Sequence, residues 1–122
     1  MRAPDELATL KSAAAGLLYP SESDAPFDVF TWPATTATTA HDAVTAHAAG
    51  GGAVEEVALA EFFTELEASD DGPRYSKLRA RLTSTFSDVK VLRVGQRKVD
   101  VFLIGRAKSG AWAGVHTTSV ET

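Results

Sequence analysis

The chain has no cysteine, which excludes disulfides and thiolate metal sites. It has no run of 18 apolar residues, the length a membrane-spanning helix needs. Its start, Met1-Arg2-Ala3-Pro4-Asp5-Glu6, turns acidic at once and lacks the apolar core of a secretory leader. Positive charge is also short. Twelve Lys and Arg against 16 Asp and Glu give a net charge of −4 and a pI near 5.3. Direct binding to a nucleic-acid backbone, which needs clustered cations, is therefore not expected. An acidic protein can instead meet a basic one. These absences lead us to expect a cytoplasmic protein with no membrane attachment and no cofactor of its own.

What is present suits a globular domain. The chain is 44% hydrophobic and 23% charged, an ordinary balance for a soluble fold. Its 122 residues suffice for one core, so a single domain over 1–122 is expected. Leu7, Leu10, Ala14, Leu17 and Leu18 follow a helical period over residues 5–18, with Gly16 near the end. Tyr19 to Pro26 is a polar loop framed by Pro20 and Pro26, which fix φ and stiffen it. Phe27–Trp32 reads as a strand. Ala34–Thr39 reads as a loop, and residues 39–49 as a weak amphipathic helix stopped by Gly50-Gly51-Gly52. A short strand over 54–58 precedes a helix over 59–68. The turn Asp70-Asp71-Gly72-Pro73 leads into another helix striped by Tyr75, Leu78, Leu82 and Phe86.

After Ser87 the period becomes two. Residues 89–94, 99–104 and 111–120 then form a three-stranded antiparallel meander with short turns. The fold class is α+β, with helices packed on a mostly antiparallel sheet. The strand pattern runs almost to Thr122, the last residue of the sequence. A sheet would hold that hydroxyl and carboxylate, with Glu121 beside them, in a fixed place: hard oxygen ligands suited to Mg²⁺.

Catalytic chemistry is thin. His41 and His47 stand six apart, on different helix faces, and do not make a metal pair. Ser21, His116 and Asp100 can be nominated as a triad, but no Gly-x-Ser-x-Gly elbow surrounds any serine. Gly50-Gly51-Gly52 lacks the Lys-Ser/Thr of a phosphate loop. The basic stretch Arg74 to Arg81 sits in a helical pattern and reads as a solvated face. No enzymatic activity is expected. Two segments remain unexplained: the stiff acidic loop Ser21-Glu22-Ser23-Asp24 and the strand-borne terminus.

Together these segments resemble the nuclease A inhibitor family of bacteria. The resemblance rests on Gly16-Leu17-Leu18-Tyr19-Pro20-Ser21-Glu22-Ser23-Asp24-Ala25-Pro26-Phe27-Asp28-Val29-Phe30-Thr31-Trp32. It returns at Val91-Leu92-Arg93-Val94-Gly95, at Asp100-Val101-Phe102-Leu103-Ile104-Gly105, and from Ala113-Gly114-Val115-His116-Thr117 through Val120-Glu121-Thr122. It spans residues 10–33 and 91–122, whereas 34–88 match only in rough pattern. The resemblance implies a three-layer α-β-α sandwich related to the pathogenesis-related-1-like fold. It also implies a protein inhibitor of a non-specific, Mg-dependent DNA/RNA endonuclease of the ββα-metal (His-Me finger) class. In that family the C-terminal threonine reaches the nuclease's catalytic Mg²⁺, and the loop glutamate meets basic residues of the same cleft. Those positions are Thr122 and Glu22 here. Ser21, Ser23, Asp24, Glu121 and Trp112 complete the expected partner-binding set. Thr122 is a metal ligand only within the complex, which is expected to pair one monomer with one nuclease.

Two rival readings differ in class. One is a module of the same fold for another protein partner, since the divergent middle would form the rim that sets partner choice. The other is a small hydrolase, motivated by His116 beside Thr117, Thr118 and Ser119; it requires a deep closed pocket lined by His116.

Overall fold

The period-two segments pair as expected in the computed structural model, which describes residues 10–19, 25–32, 39–47, 54–95, 98–107 and 110–120. In chain order the elements are α1 (residues 10–14), β1 (Leu18–Tyr19), β2 (Ala25–Pro26), β3 (Asp28–Trp32), α2 (Ala40–His47), β4 (Val54–Val57), α3 (Leu59–Glu67), α4 (Gly72–Thr85), β5 (Ser87–Val94), β6 (Lys98–Arg106) and β7 (Trp112–Val120). The large sheet has the order β3-β7-β6-β5-β4. Every neighbouring pair in it is antiparallel. Among the described residues no helix is long and apolar enough to cross a membrane.

Alternation along the strands splits the core in two. Val91, Val101, Leu103, Ala113 and Val115 face α1, α3 and α4, joining Leu10, Leu17, Phe63, Leu66, Leu78 and Leu82. Their neighbours Leu92, Val94, Phe102, Ile104 and Trp112 face the other way, joining Ala40, Ala43 and Val44 of α2. The sheet therefore carries helices on both faces, and its inner strands are apolar on both sides. This explains why β6 reads as the continuous run Val101-Phe102-Leu103-Ile104, buried throughout.

Local chemistry accounts for the joints. Gly16 adopts φ +78° and ends α1, a conformation that costs glycine little. Pro73 occupies the first turn of α4, where its missing N–H is no loss. Glu67 at the end of α3 receives hydrogen bonds from Ser76 Oγ (2.9 Å) and Arg79 Nη1 (3.1 Å), which ties the two helices together. Strand β5 starts two residues before the expected position because Ser87 already pairs with Arg106. The register then shifts before Lys90, with Asp88 at φ 52°; this is a β-bulge that periodicity does not reveal.

The interval 19–26, expected to be wholly loop, contains two paired ends. Leu18 opposes Pro26 and Tyr19 opposes Ala25 in a separate antiparallel ladder. The expected ends of the first and second helices at 5–9 and 48–49, the glycine stop at 50–52 and most of the Ala34–Thr39 loop lie outside the described residues.

Gly114 sits between Phe30 on β3 and Ile104 on β6. With no side chain there, rings from the two flanking strands meet across β7: Phe30 and Phe102 at 5.7 Å, edge to face. A Cβ at this position would land on the Leu103 carbonyl.

Three substitutions check this packing by urea unfolding. Leu78→Ala empties a fully buried site and should lower stability by about 2–5 kcal/mol. Gly114→Ala should lower it by about 1–3 kcal/mol through overpacking. Glu56→Gln, which breaks an exposed ion pair to Lys90 (3.5 Å), should change it by less than about 1 kcal/mol. Equal effects from all three would contradict the described core.

Candidate functional site: an anchored loop base beside a strand end

Strand register sorts the connections between the two ends of the sheet. Asp28, Val54, Val94, Lys98 and Val120 lie at one end; Trp32, Val57, Ser87, Arg106 and Trp112 lie toward the other. Gly95, which follows Val94, belongs to this first end, and so does Ala25, which Thr117 of β7 reaches beyond His116.

At that end β7 is held on one side as far as its last residue. Val120 pairs with Lys98, and Ser119 with Val99. On its other side β3 pairs only as far as Asp28 opposite His116. Beyond His116 that flank is taken by the β1–β2 ladder. Thr117 Oγ1 donates to the carbonyl of Ala25 at 3.4 Å, so the ladder is tied directly to β7. Thr117 and Ser119 are buried, at 1% and 3% exposure. They are polar residues inside an otherwise apolar alternation, and they mark where the core gives way to the loop base.

Aromatic packing fixes the ladder from the helical side. Tyr19 stacks on Phe62 of α3 with centroids 5.3 Å apart and planes 7° apart. Phe27 lies edge-on to both Tyr19 (6.2 Å) and Tyr75 (6.4 Å). The Tyr75 hydroxyl donates to the carbonyl of Leu18. Tyr19 and Ala25, the two ends of segment 20–24, are thus paired with each other and fastened to α3, α4 and β7. Tyr75 reads in the sequence only as one member of an apolar stripe; its phenol group is the signal that periodicity passes over. The role of Thr117 is carried by a lone buried hydroxyl in a β-strand pattern.

Of the expected partner-binding residues, Ser21, Glu22, Ser23, Asp24, Glu121 and Thr122 lie outside the described residues. Trp112 is described, and it leaves the set. It opens β7 at the opposite end of the sheet, eight residues and roughly 26 Å from Val120. It is 2% exposed and packs with the α2 core, with the Arg106 guanidinium 4.9 Å from its ring centroid. Strand alternation turns this indole inward, so it has no surface to offer a partner.

His116 and Asp100, two members of the nominated triad, do meet: Nε2 lies 3.0 Å from Oδ1. The imidazole also lies 4.7 Å from the Phe102 ring, at a 33° tilt. The third member, Ser21, lies outside the described residues. The pair is partly open to solvent, with side-chain exposures of 30% and 41%. A cavity of about 280 Å³ lies elsewhere, against α1 and α4, and His116 does not line it. The histidine therefore has the setting of a surface hydrogen-bonded pair, not of a catalytic base in a closed pocket. Among the described residues no three His, Asp or Glu side chains gather as a metal site.

Removing either hydroxyl tests the anchoring. Tyr75→Phe and Thr117→Val should each cost about 0.5–1.5 kcal/mol of global stability. Both should speed amide hydrogen exchange at Tyr19 and Ala25 more than in the sheet centre. Unchanged exchange at those amides would show that the hydroxyls do not hold the loop base.

Comparison with curated proteins gives no match. A family model, nuclease A inhibitor-like protein, matches residues 5–122, nearly the whole chain. The match runs through the anchored segment, both cores and the chain end, including residues 34–88, which resembled the family only roughly. The chain belongs to the nuclease A inhibitor-like family.

Proposed function

We propose that this protein inhibits a metal-dependent, non-specific endonuclease of the ββα-metal class by occupying its active site with two groups, Glu22 and Thr122. The observation that carries the proposal is the hydrogen bond from Thr117 to Ala25. It ties the base of the loop bearing Glu22 to the strand leading to Thr122. Glu22 is three peptide steps from either anchor, a reach of at most roughly 11 Å, and Thr122 is two steps from Val120, at most roughly 8 Å. Thr117 itself precedes Val120 by three strand residues, roughly 10 Å. The two groups therefore issue from one neighbourhood, on the scale of a single catalytic cleft.

The chemistry matches what a nuclease cleft is built to hold. Such a site positions phosphodiester oxygens against arginines and beside a divalent cation. A carboxylate at Glu22 takes the place of one phosphate against a basic side chain, through charge-assisted hydrogen bonds. An oxygen of Thr122 enters the open coordination position of the nuclease's Mg²⁺. Because both anchors are fixed before binding, little ordering entropy is lost when the complex forms. Ser21, Ser23, Asp24 and Glu121 flank the two groups and complete the acidic contact. Residues 48–53 and 95–97, joined in sequence to Val54, Val94 and Lys98 at this end of the sheet, supply the rim that selects one nuclease among several. One monomer blocks one enzyme. The inhibitor itself is not an enzyme, and it acts in the cytoplasm of the producing cell.

A titration of a ββα-metal nuclease with the untagged protein tests this. Inhibition should saturate at one inhibitor per enzyme. Glu22→Ala should cost about 2–5 kcal/mol of binding, as expected for a desolvated charge partner. Adding residues after Thr122 should weaken inhibition by several orders of magnitude without changing the unfolding midpoint. Full inhibition by the extended protein would rule out the terminus as a metal ligand.

A further inference from the structure

The basic stretch on α4 is exposed at Arg74, Lys77 and Arg81, as expected of a solvated face. Its charges divide between two flanks of the helix. Arg79 turns toward α3 and pairs with Glu67 at 3.1 Å. Arg74, Lys77 and Arg81, spaced three and four apart, share the flank toward α1. There they line the cavity of about 280 Å³ together with Ser12 and Ala13. Among the described residues none of these three cations has a carboxylate partner. The Arg74 guanidinium is already positioned, because it donates to the carbonyl of Ala15 at the end of α1. A Cβ at Gly16 would sit in ordinary contact with Nη1, at 3.6 Å, so the guanidinium lies close against the end of α1.

We propose that this α1–α4 groove binds a compact phosphate-bearing anion. Three converging cations in a molecule of net charge −4 make a local positive site against the average field of the protein. Two arginine forks and one ammonium match the oxygens of a phosphate or diphosphate group, and the Ser12 hydroxyl can donate to the same anion. The groove is at the small end of ligand-pocket volumes, which suits a phosphorylated small molecule. A nucleic-acid chain fits less well. Tight tracking of a backbone draws on about 6–10 phosphate contacts, whereas these three cations span only about 10 Å of helix. The site lies on the outer helical layer and uses none of the residues assigned to nuclease inhibition, so it stands independently of that proposal.

Inorganic pyrophosphate is the probe, measured by titration calorimetry at low salt with the full chain. One saturable site is expected. Lys77→Gln and Arg81→Gln should each weaken binding by about tenfold or more, with the unfolding midpoint and nuclease inhibition unchanged. These two positions are chosen because Arg74 also supports the end of α1. A parallel titration uses single-stranded oligonucleotides of increasing length. The proposal is overturned if pyrophosphate shows no saturable binding, or if both variants bind it as the parent does. It is also overturned if affinity grows with oligonucleotide length beyond that for pyrophosphate, since the groove would then be a nucleic-acid contact.

Discussion

The pairing of β7 is the constraint on which the rest depends. One of its edges is matched to β6 from Trp112 to Val120. The other is matched to β3 only from Trp112 to His116. The unequal lengths of the two partners create the site. Where β3 stops, the flank of β7 beyond His116 accepts the β1–β2 ladder through the Thr117 hydroxyl. Where β6 continues, it carries the backbone of β7 to its last residue. A single strand thus positions both the base of the acidic loop and the approach to the chain end. Had β3 and β6 ended level, the β1–β2 ladder would have no strand to lean on.

The two cores make that arrangement stiff. Apolar residues on both faces of β5, β6 and β7 press the sheet between α2 and the other helices, so its central strands cannot shift register without exposing one face. The wall of Tyr19, Phe27, Phe62 and Tyr75 extends this rigidity to the edge, where a two-residue ladder alone would be marginal. Rigidity serves the proposed inhibition: groups carried next to fixed anchors lose less ordering entropy on binding than groups on mobile chains.

Much of this was legible in the sequence, for identifiable reasons. The meander β5–β7 followed from strict alternation, and α3 and α4 from Phe63, Leu66, Tyr75, Leu78 and Leu82 at helical spacing. The β1–β2 ladder was not legible, because two-residue strands carry no period and prolines mask them. The bulge at Asp88 and the flank-by-flank division of charge on α4 were equally silent: one depends on backbone torsion, the other on where Glu67 and Ala15 lie in space. Trp112, expected as a partner contact, is drawn by its place in the strand order into the α2 core. The proposed roles of Glu22 and Thr122 rest on family resemblance and not on residue chemistry. The sheet adds the shared neighbourhood of their anchors.

Amide chemical-shift mapping of the labelled protein with an unlabelled ββα-metal nuclease tests the central claim most directly. The account predicts that the largest changes cluster at one end of the sheet, at Tyr19, Ala25, Gly95, Lys98, Thr117 and Val120, with Trp112, Arg106 and Ser87 unmoved. Changes centred on Trp112 and Arg106 instead, or spread over the α2 face, would contradict it.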